Sequence, residues 1–134
     1  MNIEKKLNNY QNKFPRISDV ADKAKKRIPH VAWEYLNSGT GKEQLLAQNQ
    51  NSFKNIRFIP RFCKGELNAD VKTKLFNKVY DCPIGIAPVG LTGLMWPKVE
   101  QYLAQTAERH NIPFCLSTVA TETPETIGKL VGNN

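Results

Sequence analysis

The segment Ala87-Pro88-Val89-Gly90-Leu91-Thr92-Gly93 is the first place where this sequence could do chemistry. Gly90 and Gly93 carry no Cβ, so backbone amides can come close to a bound group there, and Pro88 stiffens the approach. The segment closes a short apolar run, residues 83–90. In α/β proteins, ligands bind at the carboxyl ends of strands. The same small residues would also suit a loop packed tightly between a strand and a helix. Neither G-x-G-x-x-G nor a G-x-x-x-x-G-K-[ST] loop occurs, so no dinucleotide or nucleoside triphosphate site is read.

Ser117, Thr118 and Thr121 lie at and beyond the end of a second apolar run, Pro113 to Ser117. Their hydroxyls could hydrogen-bond a cofactor ring or a phosphate, or could build a turn and a helix cap. Tyr35 stands two residues after Trp33 and close to Ser38-Gly39. Its hydroxyl could donate to a carboxylate, or be satisfied inside a core. His30 and His110 both read as structural. No Ser-His-Asp, Cys-His or paired-carboxylate set can be assembled.

The elements that must position these residues follow from pattern. Residues 1–16 are polar and read as an arm. A helix then starts with Ser18 as its N-cap and Asp19 and Asp22 in its first turn. Val20, Ala24 and Ile28 make its apolar stripe. Pro29 ends it and can open a second helix, which closes at Gly39. A third spans Lys42 to Phe53, with Leu45 and Leu46 inward. Asn55 to Phe62 is extended, and Pro60 bars it from a central strand. Lys72 to Leu75 and Val79 to Tyr80 flank Phe76-Asn77-Lys78 as a hairpin.

Residues 83–90, P-I-G-I-A-P-V-G, read as a strand buried on both faces. A helix follows from Pro97 to Asn111, with Val99, Leu103 and Ala107 in register. Pro113 to Ser117 reads as a second buried strand. Thr123 then caps a last helix, with Pro124 at its first position and Ile127, Leu130 and Val131 on its inner face. The order β-α-β-α is the pattern of a parallel sheet. Two parallel strands make a poor sheet, because both faces and both edges need cover.

Composition narrows the class. The 134 residues are 40% hydrophobic and 23% charged, which fits a globular chain and not a disordered or fibrous one. They are too few for a whole (β/α)8 barrel, which takes about 250. The net charge is +7, from 19 basic and 12 acidic side chains. Residues 1–30 supply +5 of it, from eight basic and three acidic groups. A basic arm can meet nucleic acid or an anionic membrane, but more often it is a solvated helix face. No zinc-finger spacing accompanies it, so no nucleic-acid partner is expected, and a small basic nucleic-acid-binding domain is an alternative resting on the arm alone.

Cys63, Cys82 and Cys115 are odd in number and widely spaced, so neither a disulfide framework nor a structural zinc site is expected. Cys82 and Cys115 fall in apolar runs, as small hydrophobes. No apolar leader and no membrane-length apolar run is visible, and the chain reads as cytoplasmic.

Taken in order, these residues resemble the amino-terminal part of the FMN-dependent α-hydroxy acid dehydrogenases. That family includes L-lactate dehydrogenase, mandelate dehydrogenase and glycolate oxidase. The landmarks are P-x-x-x-W-E-Y-L-x-S-G at 29–39, the spacing of Asn49 and Phe53, R-F-x-P-R at 57–61 and T-K-L-F-N-K at 73–78. They continue with C-P-I-G-I-A-P-V-G-L-T-G at 82–93, W-P-K at 96–98 and I-P-F-C-L-S-T at 112–118. The likeness runs from Ile17 to Val131.

The resemblance implies an α/β fold, the start of a (β/α)8 barrel: leading helices, the hairpin and the first two βα units. Residues 17–134 form this portion and residues 1–16 the arm. It implies FMN at the carboxyl mouth, contacted by Pro88, Val89 and Gly90 and by Ser117, with Tyr35 helping to bind the substrate carboxylate. Val89 stands where some members have Thr, so a side-chain bond from that position is lost. The family oxidises a small α-hydroxy acid to the α-keto acid. A His takes the hydroxyl proton, two Arg bind the carboxylate and a Lys supports the reduced flavin, all from later strands. His30 and His110 do not match that His. Residues 1–134 by themselves are therefore expected to be inactive. A second polypeptide carrying the remaining strands is the alternative partner. Members are often homo-oligomeric, and some full-length parents are peripheral to the inner membrane.

Overall fold

Asp19 sets where the first helix begins. Its carboxylate accepts from the Arg16 backbone N–H at 3.1 Å and from the Arg16 guanidinium at 2.9 Å. That makes Arg16 the N-cap of α1, Ile17–Lys25, and puts Ser18 inside the first turn instead of capping it. A residue three places into a helix can reach back to an orphan backbone donor, and here the carboxylate does so.

The computed structural model describes residues 10, 12–63, 65, 66 and 68–131, which form two compact units divided after Ser38. Most of the arm read at 1–16 lies outside the described residues. In its described part, the Phe14 N–H donates to the Tyr10 carbonyl at 2.9 Å, and the two rings stack at 6.1 Å. In the first unit, α1 ends earlier than its stripe suggests. Lys26 is the C-cap, Ile28 lies in the turn beyond it, and Val20 is exposed. Helix α2 spans His30–Asn37 with Pro29 as its N-cap, and Ala32 is its buried residue.

The second unit opens with α3, Gln44–Ser52, which tightens into a 3-10 turn at Phe53–Asn55. It starts two residues later than its pattern suggests, because Glu43 adopts a left-handed conformation (φ 57°). Leu45 and Leu46 are exposed, not inward, and α3 buries no residue. Residues 56–62 have no regular element, in keeping with Pro60.

The hairpin pairs β1, Thr73–Leu75, with β2, Lys78–Tyr80, antiparallel, Leu75 facing Lys78. Lys78 belongs to the strand, so the turn is two residues, Phe76 and Asn77. Both have positive φ (47° and 65°), as a mirror-image turn matched to strand twist requires.

The two apolar runs lie side by side and parallel, as the sequence pattern requires. They touch through a single bridge between Ile86 and Phe114. The Ile86 N–H donates to the Pro113 carbonyl at 2.8 Å, and the Cys115 N–H to the Ile86 carbonyl at 3.0 Å. Gly85 permits this approach, since a Cβ there would stand 2.9 Å from the Pro113 oxygen. Neither run is buried on both faces. Ile84 is 68% exposed and Cys115 is exposed, because no further strand of the described residues flanks them.

Two helices cover one side. Helix α4 spans Val99–Arg109 and α5 spans Pro124–Leu130. The buried stripe of α4 is Glu100, Ala104 and Ala107, one residue on from the expected Val99 and Leu103, which are half-buried. Asn111, at φ 45°, ends α4 in place of a glycine, and the Ile112 N–H closes back on the Ala107 carbonyl at 2.9 Å. The Asn111 side chain donates to the Val79 carbonyl at 3.1 Å and to Asp81 at 2.8 Å, tying the helix end to the hairpin. Thr123 caps α5 as expected, accepting from the Thr126 N–H at 3.2 Å. The apolar core of this unit is Met95, Ala104, Ala107 and Ile127. No large side chain among the described residues is completely buried.

Candidate functional site

Both candidate loops sit at the same end of the parallel pair, just beyond its bridge. Pro88 and Val89 are exposed, and Gly90 and Ser117 are half-buried. The Leu91 N–H donates to the Val119 carbonyl at 3.0 Å, so the first loop is fastened to the second directly after Gly90. Ser117 also shapes its own loop. Its Oγ accepts from the Val119 N–H at 3.2 Å, and its carbonyl accepts from the Ala120 N–H at 3.1 Å. The turn reading of Ser117 is therefore correct, and it leaves the hydroxyl hydrogen free to donate elsewhere.

A second fastening lies deeper, at a residue the sequence reading passed over. Glu100, 2% exposed, projects from the first turn of α4. One of its oxygens, Oε1, accepts from the Gly93 N–H at 3.2 Å, the Thr121 N–H at 3.0 Å and the Thr121 hydroxyl at 2.8 Å. Burial alone would raise its pKa. The Thr121 hydroxyl and amide outweigh burial and hold the carboxyl down at about 2, so it is charged at neutral pH. Thr92 adds a weaker pull, although its geometry falls short of a hydrogen bond. Thr92 Oγ1 and the other carboxylate oxygen, Oε2, are buried without a hydrogen-bond partner among the described residues. A small cavity of about 10 Å³ adjoins them, bordered also by Val89 and Ser117.

Gly93 belongs to this clasp. A Cβ on it would collide with Thr121 Oγ1 and come within 2.9 Å of Thr121 Cβ. At Gly93, then, the packing reading of the small residue is the right one. The one sequence signal for Glu100 is that it shares a helix face with the small residues Ala104 and Ala107, which permits close packing there.

The structure brings together the Val89–Gly90 loop and Ser117. Tyr35 lies on α2 in the other unit, half exposed. His30 starts α2 with its Nε2 3.7 Å from Glu34, and His110 is the exposed C-cap of α4. An open cleft of about 430 Å³ runs beside α5, walled by Ala107, Phe114, Leu116, Ile127 and Val131 and edged by Ser117. No helix of the described residues is long and apolar enough to cross a membrane.

The backbone amides of Val89 and Gly90 and the hydroxyl of Ser117 are donors that can meet carbonyl and ring-nitrogen acceptors of a bound heterocycle. Such donors are chemically compatible with the ring edge of a flavin.

Comparison with known proteins gives the same direction. Residues 24–134 match the family model for FMN-dependent dehydrogenases. The chain is 31% identical over 112 residues to the L-lactate oxidase of Lysinibacillus sphaericus, covering 84% of this chain and 29% of that one. It is 30% identical over 119 residues to the (S)-mandelate dehydrogenase of Pseudomonas putida, covering 89% and 30%. A solved structure of an oxidised active mutant of (S)-mandelate dehydrogenase superposes with a TM-score of 0.77 at 30% identity, covering 84% and 32%. A mandelate oxidase reaches 0.82 at 23% identity, a likeness of fold. The chain thus spans about 30% of the length of these relatives. It belongs to the FMN-dependent dehydrogenase family, and its described residues carry the leading helices, the hairpin and the first two βα units of that family's (β/α)8 barrel.

Proposed function

We propose that this chain supplies the flavin-ring side of an FMN-dependent oxidoreductase that converts a small L-α-hydroxy acid, of lactate or mandelate type, to its α-keto acid. The observation that supports it is the pairing of the Pro88–Gly90 loop with Ser117 at one end of a parallel pair, fastened by Leu91 and Val119. Val89 and Gly90 would offer backbone amides to the ring edge, and Ser117 its free hydroxyl hydrogen. Val89 leaves that edge without a side-chain hydrogen bond. FMN, when bound, supplies the two-electron redox chemistry, and the protein orients and polarises. Tyr35 would donate to the substrate carboxylate. Residues 17–134 form the barrel portion, residues 1–16 a basic arm, and the setting is the cytoplasm.

Neither His30 nor His110 is assigned the role of the base, so residues 1–134 alone are inactive in this reading. The test is an assay of the purified chain with L-lactate and (S)-mandelate, FMN and a dye acceptor. No turnover is expected, and turnover would overturn the assignment of the base to residues outside this chain.

A second reading has the remaining strands supplied by another polypeptide. The open side of the Phe114 run and the apolar cleft beside α5 favour it. Co-expression with the remaining part of a relative's barrel should then increase soluble, yellow protein.

A further inference from the structure

We propose that Glu100 is a positioning residue for the flavin-ring loops, setting the gap between the Val89–Gly90 edge and Ser117. The inference rests on the flavin reading above. Gly93 ends the first loop and Thr121 ends the second, and Glu100 Oε1 takes a donor from each backbone. The carboxylate itself rides on α4, so its hydrogen bonds join the helix to both loops. Three donors on one oxygen leave it little freedom. Charge-assisted hydrogen bonds of this kind are about twice as strong as neutral ones. The clasp lies behind the loops, where Val89 and Ser117 border the same small cavity as Glu100. Glu100 reaches the cofactor surface only through the backbone it holds.

A structural role alone would predict that any fold-preserving change leaves flavin contacts alone. The test uses the 134-residue chain and riboflavin as probe, with affinity read from the amide signals of Gly90 and Ser117. Thr121→Val removes the hydroxyl at nearly constant shape, Thr121→Ser keeps it, and Glu100→Gln removes the charge. Thr121→Val and Glu100→Gln should each weaken binding about fivefold or more, the loss expected for one net hydrogen bond. Thr121→Ser should bind as the parent does. If Glu100→Gln does not fold, the valine and serine pair decides.

In the parent, the Gly93 and Thr121 amides should titrate together at low pH as the carboxyl takes its proton. Equal riboflavin affinity in Thr121→Val and Thr121→Ser would overturn the positioning role while leaving the flavin reading intact. No response of the parent to riboflavin would overturn the flavin reading, and the positioning role with it. Gly93 and Thr121 titrating independently would show that no clasp joins the loops.

Discussion

Thr121 gives Glu100 both its backbone N–H, at 3.0 Å, and its hydroxyl, at 2.8 Å, across 21 residues of sequence. This pairing decides how the unit answers acid. The Glu100 carboxyl sits at about 2 in the folded chain against 4.5 ordinarily, so the unfolded chain binds the proton more readily. Its stabilising contribution is complete above about pH 4.5 and is lost as pH falls toward 2. Glu125 has the same sign, lowered by its own backbone amide and by the Thr123 hydroxyl. Denaturant melts between pH 6 and 2 should show falling stability, with a shallower slope in Glu100→Gln.

Gly93→Ala should destabilise the second unit. The new methyl meets Thr121 Oγ1, and relieving it means breaking the clasp or shifting one loop. Overpacking of this kind costs about 1–3 kcal/mol. Chemical denaturation checks the size, and loss of the low-pH titration of the Thr121 amide checks the cause.

Phe76→Asn should stabilise the hairpin. Phe76 holds φ at 47° and is 93% exposed, so it carries left-handed strain without packing in return. Asn adopts that conformation readily, and an Asn-Asn turn keeps the register of Leu75 with Lys78. The expected gain is about 1 kcal/mol. Slower exchange of the β1 and β2 amides would report it.

Gly128→Ala should stabilise α5. Gly128 lies inside the helix, and a Cβ there meets nothing within 4 Å. The gain is about 0.4–1 kcal/mol, from the lower entropy of the unfolded chain. A higher thermal midpoint checks it, and a lower one would mean that the cleft beside α5 is filled.

Local chemistry made several elements legible. Thr123-Pro124 announced α5 because a hydroxyl cap and a residue without an N–H fit the start of a helix. Parallel pairing of the two apolar runs followed from their alternation with helices, and Ile86 with Phe114 carries it. Burial was less legible. An apolar run such as residues 83–90 records a need for cover on both faces, whereas exposure of Ile84 reports what the described residues provide. The boundary of α1 went astray because Asp19, from inside the helix, competes with Ser18 for the capping role. Glu100 was passed over because an acidic residue in a first helical turn usually faces solvent and the macrodipole suffices to explain it. Its three donors come from loops that only the fold brings near.

The central claim is that the Val89–Gly90 loop and Ser117 together meet a flavin ring. Titrating the chain with riboflavin and with FMN, residue by residue, tests it most directly. The account predicts that the amides of Val89, Gly90 and Ser117 shift together, by similar amounts with either ligand, and that Ser117→Ala weakens both alike. Shifts confined to the basic residues, or seen with FMN alone, would contradict it by showing that the phosphate and not the ring is what this chain holds.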